Sequence, residues 1–244
     1  MKKILLIDIG NTSTLFAYAE VKTRKLSKLS RRITGKAHFT IPKEKTDTAV
    51  IASVVPAANG PLKKALAKKG IRSYFLGKDI PVPIKNLYRN PRQVGVDRLV
   101  NALAGFEKYK RELIIIDFGT ATTFDVVSGH GEYLGGVIAP GIKLSLDALF
   151  QKTALLPRIK LEHPSHVIGR QTVDSIRSGC SFGMGGLCDR VVDEISHMLK
   201  SKPMVIATGG YASFMKRYCR SIRKIEPNLT LLGILSSYQK KILT

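Results

Sequence analysis

Ile7-Asp8-Ile9-Gly10-Asn11-Thr12-Ser13-Thr14 returns later in the chain as Ile116-Asp117-Phe118-Gly119-Thr120-Ala121-Thr122-Thr123. Both stretches read I-D-x-G-x-x-x-T, and both follow a short apolar run, 4–7 in one case and 113–116 in the other. The second copy begins nearly half-way along the 244 residues. A duplicated unit, with an equivalent turn after the first strand of each half, is the economical explanation. Chance agreement is the alternative, but the matched positions are Asp, Gly and Thr, the chemically specialised ones.

The rest of the pattern agrees with an α/β protein. Residues 4–7, 14–21, 49–55, 113–116 and 204–208 read as buried strands. The first, fourth and fifth lack strict alternation, which predicts central strands covered on both faces. Leu62 and Leu66, set among basic residues, predict a helix ending at Gly70. Leu99, Val100, Leu103, Ala104 and Phe106 put an i, i+3, i+4 stripe on a helix over 97–109. Residues 173–199 carry two helical stretches separated by Gly183-Met184-Gly185-Gly186, and 234–243 reads as a last helix. Three prolines make 80–91 extended or looped. The expected division is one lobe over 1–111 and a second over 112–244.

Composition sets bounds. Hydrophobic residues are 44% and charged residues 24%, ordinary for a globular chain with a core. No apolar run approaches the roughly 20 residues of a membrane span. The opening apolar run is cut by Asp8 and Gly10, so it reads as a strand and not a leader. Cys180, Cys188 and Cys219 form no CxxC, which argues against a disulfide framework and a structural zinc, and for a reducing cytoplasm. Lys plus Arg is 40 against 18 Asp plus Glu, a net +22 that favours anionic ligands.

An Asp closing a buried strand, followed by Gly and small hydroxyl or amide residues, suits polyphosphate. Gly lets the backbone turn and approach closely. The turn N–H groups and the side chains of Asn11, Thr12, Ser13 and Thr14 can donate to phosphate oxygens. The carboxylate can hold hydrated magnesium. A plain hairpin turn is the alternative for either copy alone. No GxxxxGK[ST], HExxH or GxSxG sequence is present, and His163 and His166 read as solvated loop histidines.

An ordered set of segments resembles the type III pantothenate kinases, members of the superfamily that holds acetate kinase, sugar kinases, actin and the heat-shock chaperone ATPases. The set is Asp8-Ile9-Gly10-Asn11-Thr12, Ser53-Val54-Val55-Pro56, Tyr88-Arg89-Asn90-Pro91, Gly95-Val96-Asp97-Arg98 and the 117–123 turn. Gly135-Gly136-Val137-Ile138-Ala139-Pro140-Gly141 resembles a family glycine-rich loop, and Thr172 and Ala207-Thr208-Gly209-Gly210 follow in order. Gln171 stands where the family often has Asn, and Leu232 where an acidic residue is common.

The resemblance implies two similar ribonuclease-H-like lobes, a duplicated actin-like ATPase fold with a cleft between them, in a cytoplasmic homodimer. It implies transfer of the γ-phosphoryl of ATP to the primary hydroxyl of pantothenate, opening coenzyme A biosynthesis. Asp97 is then the general base, kept ionised by a helix N-terminus; an ordinary N-cap is its alternative. Tyr88, Gly95, Val96, Asp97, Arg98 and Thr172 are implied pantothenate contacts, lined by two subunits. Asp8, Ile9, Gly10, Asn11, Thr12, Ser13, Thr14, Leu15 and Thr120 are implied ATP contacts, with magnesium at Asp8 through water. Asp117 matches the family's site for a monovalent cation, potassium or ammonium. The rival is a non-catalytic regulatory or transcription-accessory relative that uses its basic surface. Seven basic residues in 22–36 and five in 216–224 supply such a surface, but without the aromatic interleaving of single-strand binders. They are read as solvated faces, with no nucleic acid or membrane as partner.

Overall fold

The structure is a computed structural model describing residues 3–34, 39, 41–42 and 44–243. Its elements are β1 (Lys3–Ile9), β2 (Ser13–Glu20), β3 (Leu26–Ile33), β4 (Thr48–Ser53), α1 (Pro56–Ala67), β5 (Arg72–Phe75), β6 (Lys85–Asn86), α2 (Val96–Tyr109), β7 (Leu113–Phe118), β8 (Ala121–Val127), β9 (Glu132–Pro140), α3 (Ile142–Lys152), α4 (Thr172–Ser178), α5 (Met184–Leu199), β10 (Met204–Thr208), α6 (Ala212–Met215), β11 (Lys224–Ile225) and α7 (Leu229–Leu243). The chain groups into two compact units. One is Met1–Lys110 with Gly129–Leu134 and Asn228–Thr244; the other is Arg111–Ser128 with Gly135–Pro227. A cut at 111/112 therefore misses two returns of the chain to the first unit.

In the first unit the strand order is β3-β2-β1-β4-β5. β1 pairs antiparallel with β2 and parallel with β4. Side chains alternate across a strand. Leu5, Ile7 and Ile9 therefore meet Leu62 and Leu66 of α1, while Ile4 and Leu6 meet Val100 of α2 and Leu231, Ile234 and Leu235 of α7. Both faces are covered, so β1 is apolar without alternation. Asp8 continues the Ile4 and Leu6 side, the side on which α2 packs. α7 reaches back to Leu229, longer than expected, and a Cβ on its Gly233 would strike the Val100 carbonyl of α2. Gly233 thus marks a helix crossing and not a break.

In the second unit β9-β8-β7-β10-β11 repeats the order of the first sheet, with β7 antiparallel to β8 and parallel to β10. β6 pairs with Glu132 and Tyr133, residues of β9 that group with the first unit. The repeat differs in one detail from the sequence alignment. Ile9 pairs with Thr14, whereas Phe118 pairs with Thr122, so the second turn is one residue shorter and Thr14 corresponds to Thr122.

Other differences have local causes. Residues 135–140 form strand and not loop, because β9 continues through both glycines before Gly141 caps α3. The break between α4 and α5 is a π turn at Gly179–Gly183, one turn earlier than expected. Gly185 sits inside α5 because a Cβ there would strike the Tyr218 carbonyl. β3 is a polar edge strand, and Lys36 of its basic cluster lies outside the described residues. Among the described residues no helix is long and apolar enough to cross a membrane.

Candidate active site

In the first unit the carboxyl ends of parallel strands β1 and β4 lie side by side, with Asp8 opposite Ala52. The β1–β2 turn closes through Gly10 N–H to Ser13 O at 3.0 Å. Asn11 and Thr12 are exposed, Asp8, Ser13 and Leu15 half-buried. Ile9 and Thr14 point into the core, and Thr14 shares a 2.9 Å hydroxyl contact with Thr34. What those two can offer an anion is backbone. Ile9 O accepts Val54 N–H at 3.1 Å, which ties the turn to the end of β4.

Val54 leads directly to Asp97. A Cβ on Gly95 would lie 3.4 Å from Val54 and 2.5 Å from Asp97 Oδ1. The Asp97 side chain therefore folds back over Gly95, and only glycine leaves it room. Gly95, not Asp97, is the N-cap of α2, and Asp97 is in the first turn with Oδ1 accepting Arg98 N–H at 2.8 Å. Burial pushes the Asp97 carboxyl above its ordinary pKa, against the lowering effects of the Arg98 N–H and charge. Arg98 is 8% exposed and stands over the Tyr133 ring, 5.8 Å from its centroid. Tyr88 is half-buried, and its N–H donates to Asn86 Oδ1 at 3.0 Å. Gly95, Val96, Asp97, Arg98 and Tyr88 thus gather around the start of α2 and β9. Tyr133 was missed by sequence reasoning because no strand was read at 132–140, and a lone aromatic by itself gives no sign of what it packs against.

In the second unit three backbones converge on the Asp117 turn. Gly209 has φ +91°, and a Cβ there would strike Asp117 Oδ1 and the Phe118 backbone. A Cβ on Gly141, the N-cap of α3, would strike the Thr120 carbonyl. Thr120 is exposed at the tip. The result is a bare-backbone cradle with a helix N-terminus and a carboxylate, a suitable seat for phosphate with its cation. No group of three His, Cys, Asp or Glu is clustered for a metal among the described residues. A cation at Asp117 or Asp8 would therefore complete its shell from water and phosphate oxygens, as magnesium in kinase sites does; the residues fit that chemistry. Asp125, fully buried with Thr123 Oγ1 3.4 Å away, lies just past the motif and was not singled out. Thr172 is exposed at the start of α4, where Gln171 is the N-cap. It borders an apolar groove of about 740 Å³ formed with Ile142, Leu149, Ile176, Met184 and Leu187.

A duplicated α/β unit with a carboxylate turn at the head of each copy defines the class of the actin-like ATPases and sugar kinases. In fold the chain is similar to an inorganic polyphosphate/ATP-glucomannokinase from Arthrobacter sp. strain KM, at TM-score 0.51 and 14% identity over 99% of this chain and 100% of that one. It is also similar to a Campylobacter jejuni protein described as a Baf-family transcriptional activator, at TM-score 0.61 and 19% identity over 98% and 100%. Residues 4–194 match the family description of type III pantothenate kinase. The chain is 39% identical over 97% of its length to the type III pantothenate kinase of Geobacter sulfurreducens, covering 98% of that protein. It is 45% identical over 78% of its length to that of Citrifermentans bemidjiense, covering 76%. The chain belongs to the type III pantothenate kinase family and is an ATP-using kinase.

Proposed function

We propose that this chain transfers the γ-phosphoryl group of ATP to the primary hydroxyl of pantothenate, the first step towards coenzyme A. Asp97 accepts the hydroxyl proton as general base. The observation that carries this role is the Asp97 carboxyl itself, largely buried in the first turn of a helix and folded over a glycine whose Cβ would strike it. Its raised pKa brings the proton affinity closer to that of a working base. Phosphoryl transfer needs positioning and charge neutralisation more than covalent chemistry.

The other residues hold and orient. The Asp8 turn, from Asp8 through Ile9, Gly10, Asn11, Thr12, Ser13 and Thr14 to Leu15, binds ATP phosphates, and Thr120 is likewise read as an ATP contact. Magnesium held through water by Asp8, and potassium or ammonium at Asp117, supply neutralising charge when bound, in place of a P-loop lysine. Arg98 presents its planar fork to the pantothenate carboxylate. Tyr88, Gly95, Val96 and Thr172 complete the acceptor contacts. The assembly is a cytoplasmic homodimer, a reading supported by the apolar groove at Thr172 and testable by light scattering. The basic clusters serve as solvated surface; DNA retained above about 200 mM salt would overturn that.

ADP release with ATP, magnesium and potassium, with and without pantothenate, tests the function. Turnover only with pantothenate is expected. Equal turnover without it marks an ATPase, and none in either case marks a non-catalytic relative.

A further inference from the structure

Tyr133 is fully buried at the start of β9 and touches two parts of the acceptor site at once. Its ring lies under the Arg98 guanidinium. Its carbonyl accepts Leu87 N–H at 2.9 Å, one residue before Tyr88. The strap that leads to Tyr88 is pinned to the same place: Lys85 and Asn86 pair with Glu132 and Tyr133, and Lys85 Nζ meets Glu132 at 2.6 Å. A guanidinium resting on a ring is held through its face, so the contact consumes none of its five donors. Arginine has many rotamers, and a fixed ring beneath the cation selects among them.

We infer that Tyr133 is a positioning residue for recognition of the acceptor's carboxylate. Its ring sets the Arg98 fork, and its backbone sets the strap bearing Tyr88, so the two contacts keep one mutual geometry. The inference rests on the reading of Arg98 and Tyr88 as pantothenate contacts.

Steady-state kinetics on Tyr133→Phe, Tyr133→Leu, Arg98→Lys and the Leu/Lys double variant test it, with pantothenate binding by equilibrium dialysis alongside. Tyr133→Phe keeps the ring and stays within about twofold of the parent. Tyr133→Leu raises the pantothenate KM about tenfold, the scale of one desolvated cation–π contact. The ATP KM stays unchanged, and the leucine adds nothing further in the Arg98→Lys background. If Tyr133→Leu does not fold, Tyr133→Met fills the space without a ring and gives the same readout. Equal rises in both KM values, full additivity with Arg98→Lys, or loss in Tyr133→Phe as large as in Tyr133→Leu would overturn the positioning role. An unchanged pantothenate KM in Arg98→Lys would remove the underlying reading of Arg98. A raised one in Arg98→Lys with none in Tyr133→Leu would remove Tyr133 alone.

Discussion

Asp97 is shaped by its neighbours more than by its own position in the helix. Burial raises its pKa, so the base form is lost on acidification at a higher pH than for a solvated carboxylate. The acid limb of kcat is expected above pH 4, the ordinary aspartate range, in a pH–rate profile at saturating substrates. Asp97→Asn should lower kcat about a thousandfold with ATP binding retained, the usual weight of a general base. The same burial has a stability sign. A carboxyl that binds its proton more tightly folded than unfolded costs the fold stability when ionised, and the cost vanishes below the unfolded pKa. Calorimetry should therefore find Asp97→Asn at least as stable as the parent at pH 8, with any advantage gone in acid. Gly95→Ala would press a methyl against Asp97 Oδ1. It should lower kcat by about a hundredfold, as a misplaced reacting group does, while ATP binding measured by calorimetry is kept.

Helix α2 owes its placement to α7. At their crossing Gly233 lets the backbones meet at Val100, and Thr230 Oγ1 donates to Asn101 Oδ1 at 2.8 Å. Gly233→Ala should cost about 1–3 kcal/mol through overpacking, read as a drop in thermal midpoint. Farther along, Glu107 of α2 accepts Ser236 Oγ at 2.6 Å and pairs with Lys240 at 3.0 Å and Arg24 at 3.6 Å. Burial alone would push Glu107 up, but Ser236, Lys240 and Arg24 together hold it below its ordinary value. A lowered folded pKa gives stability that is present above the unfolded value and lost as pH falls through the folded one. Glu107→Gln should melt below the parent at pH 7, and the gap should close under acid titration below about pH 4. The helix stripe over 97–109 was legible because its apolar spacing is regular. The α2–α7 crossing was not, since a glycine in a helix gives no sign of which backbone it must admit.

Across the whole chain, legibility followed coverage. β1, β4, β7 and β10 lie inside their sheets, so their apolar runs announced them. β3 reads Leu-Ser-Lys-Leu-Ser-Arg-Arg-Ile because it is an exposed edge, and it looked like surface. β9 hid behind Gly135 and Gly136, and its Ile138 is 63% exposed. The two Asp turns stood out because their residue types are specialised and occur twice. The cradle residues Gly141 and Gly209 stand within recognisable motifs, but their fit against the turn depends on backbones distant in sequence. The return of the chain to the first unit has no local signal, because α7 is an ordinary amphipathic segment whose partner helix lies far back in the sequence.

That return bears on how the protein is born. Val100, Ile4 and Leu6 share their core with Leu231, Ile234 and Leu235, which leave the ribosome only after every strand of the other unit has been made. The nascent amino-terminal half must therefore wait, one sheet face only partly covered by α2, for the helix that completes it. Neither half is a contiguous stretch that a single cut would liberate intact.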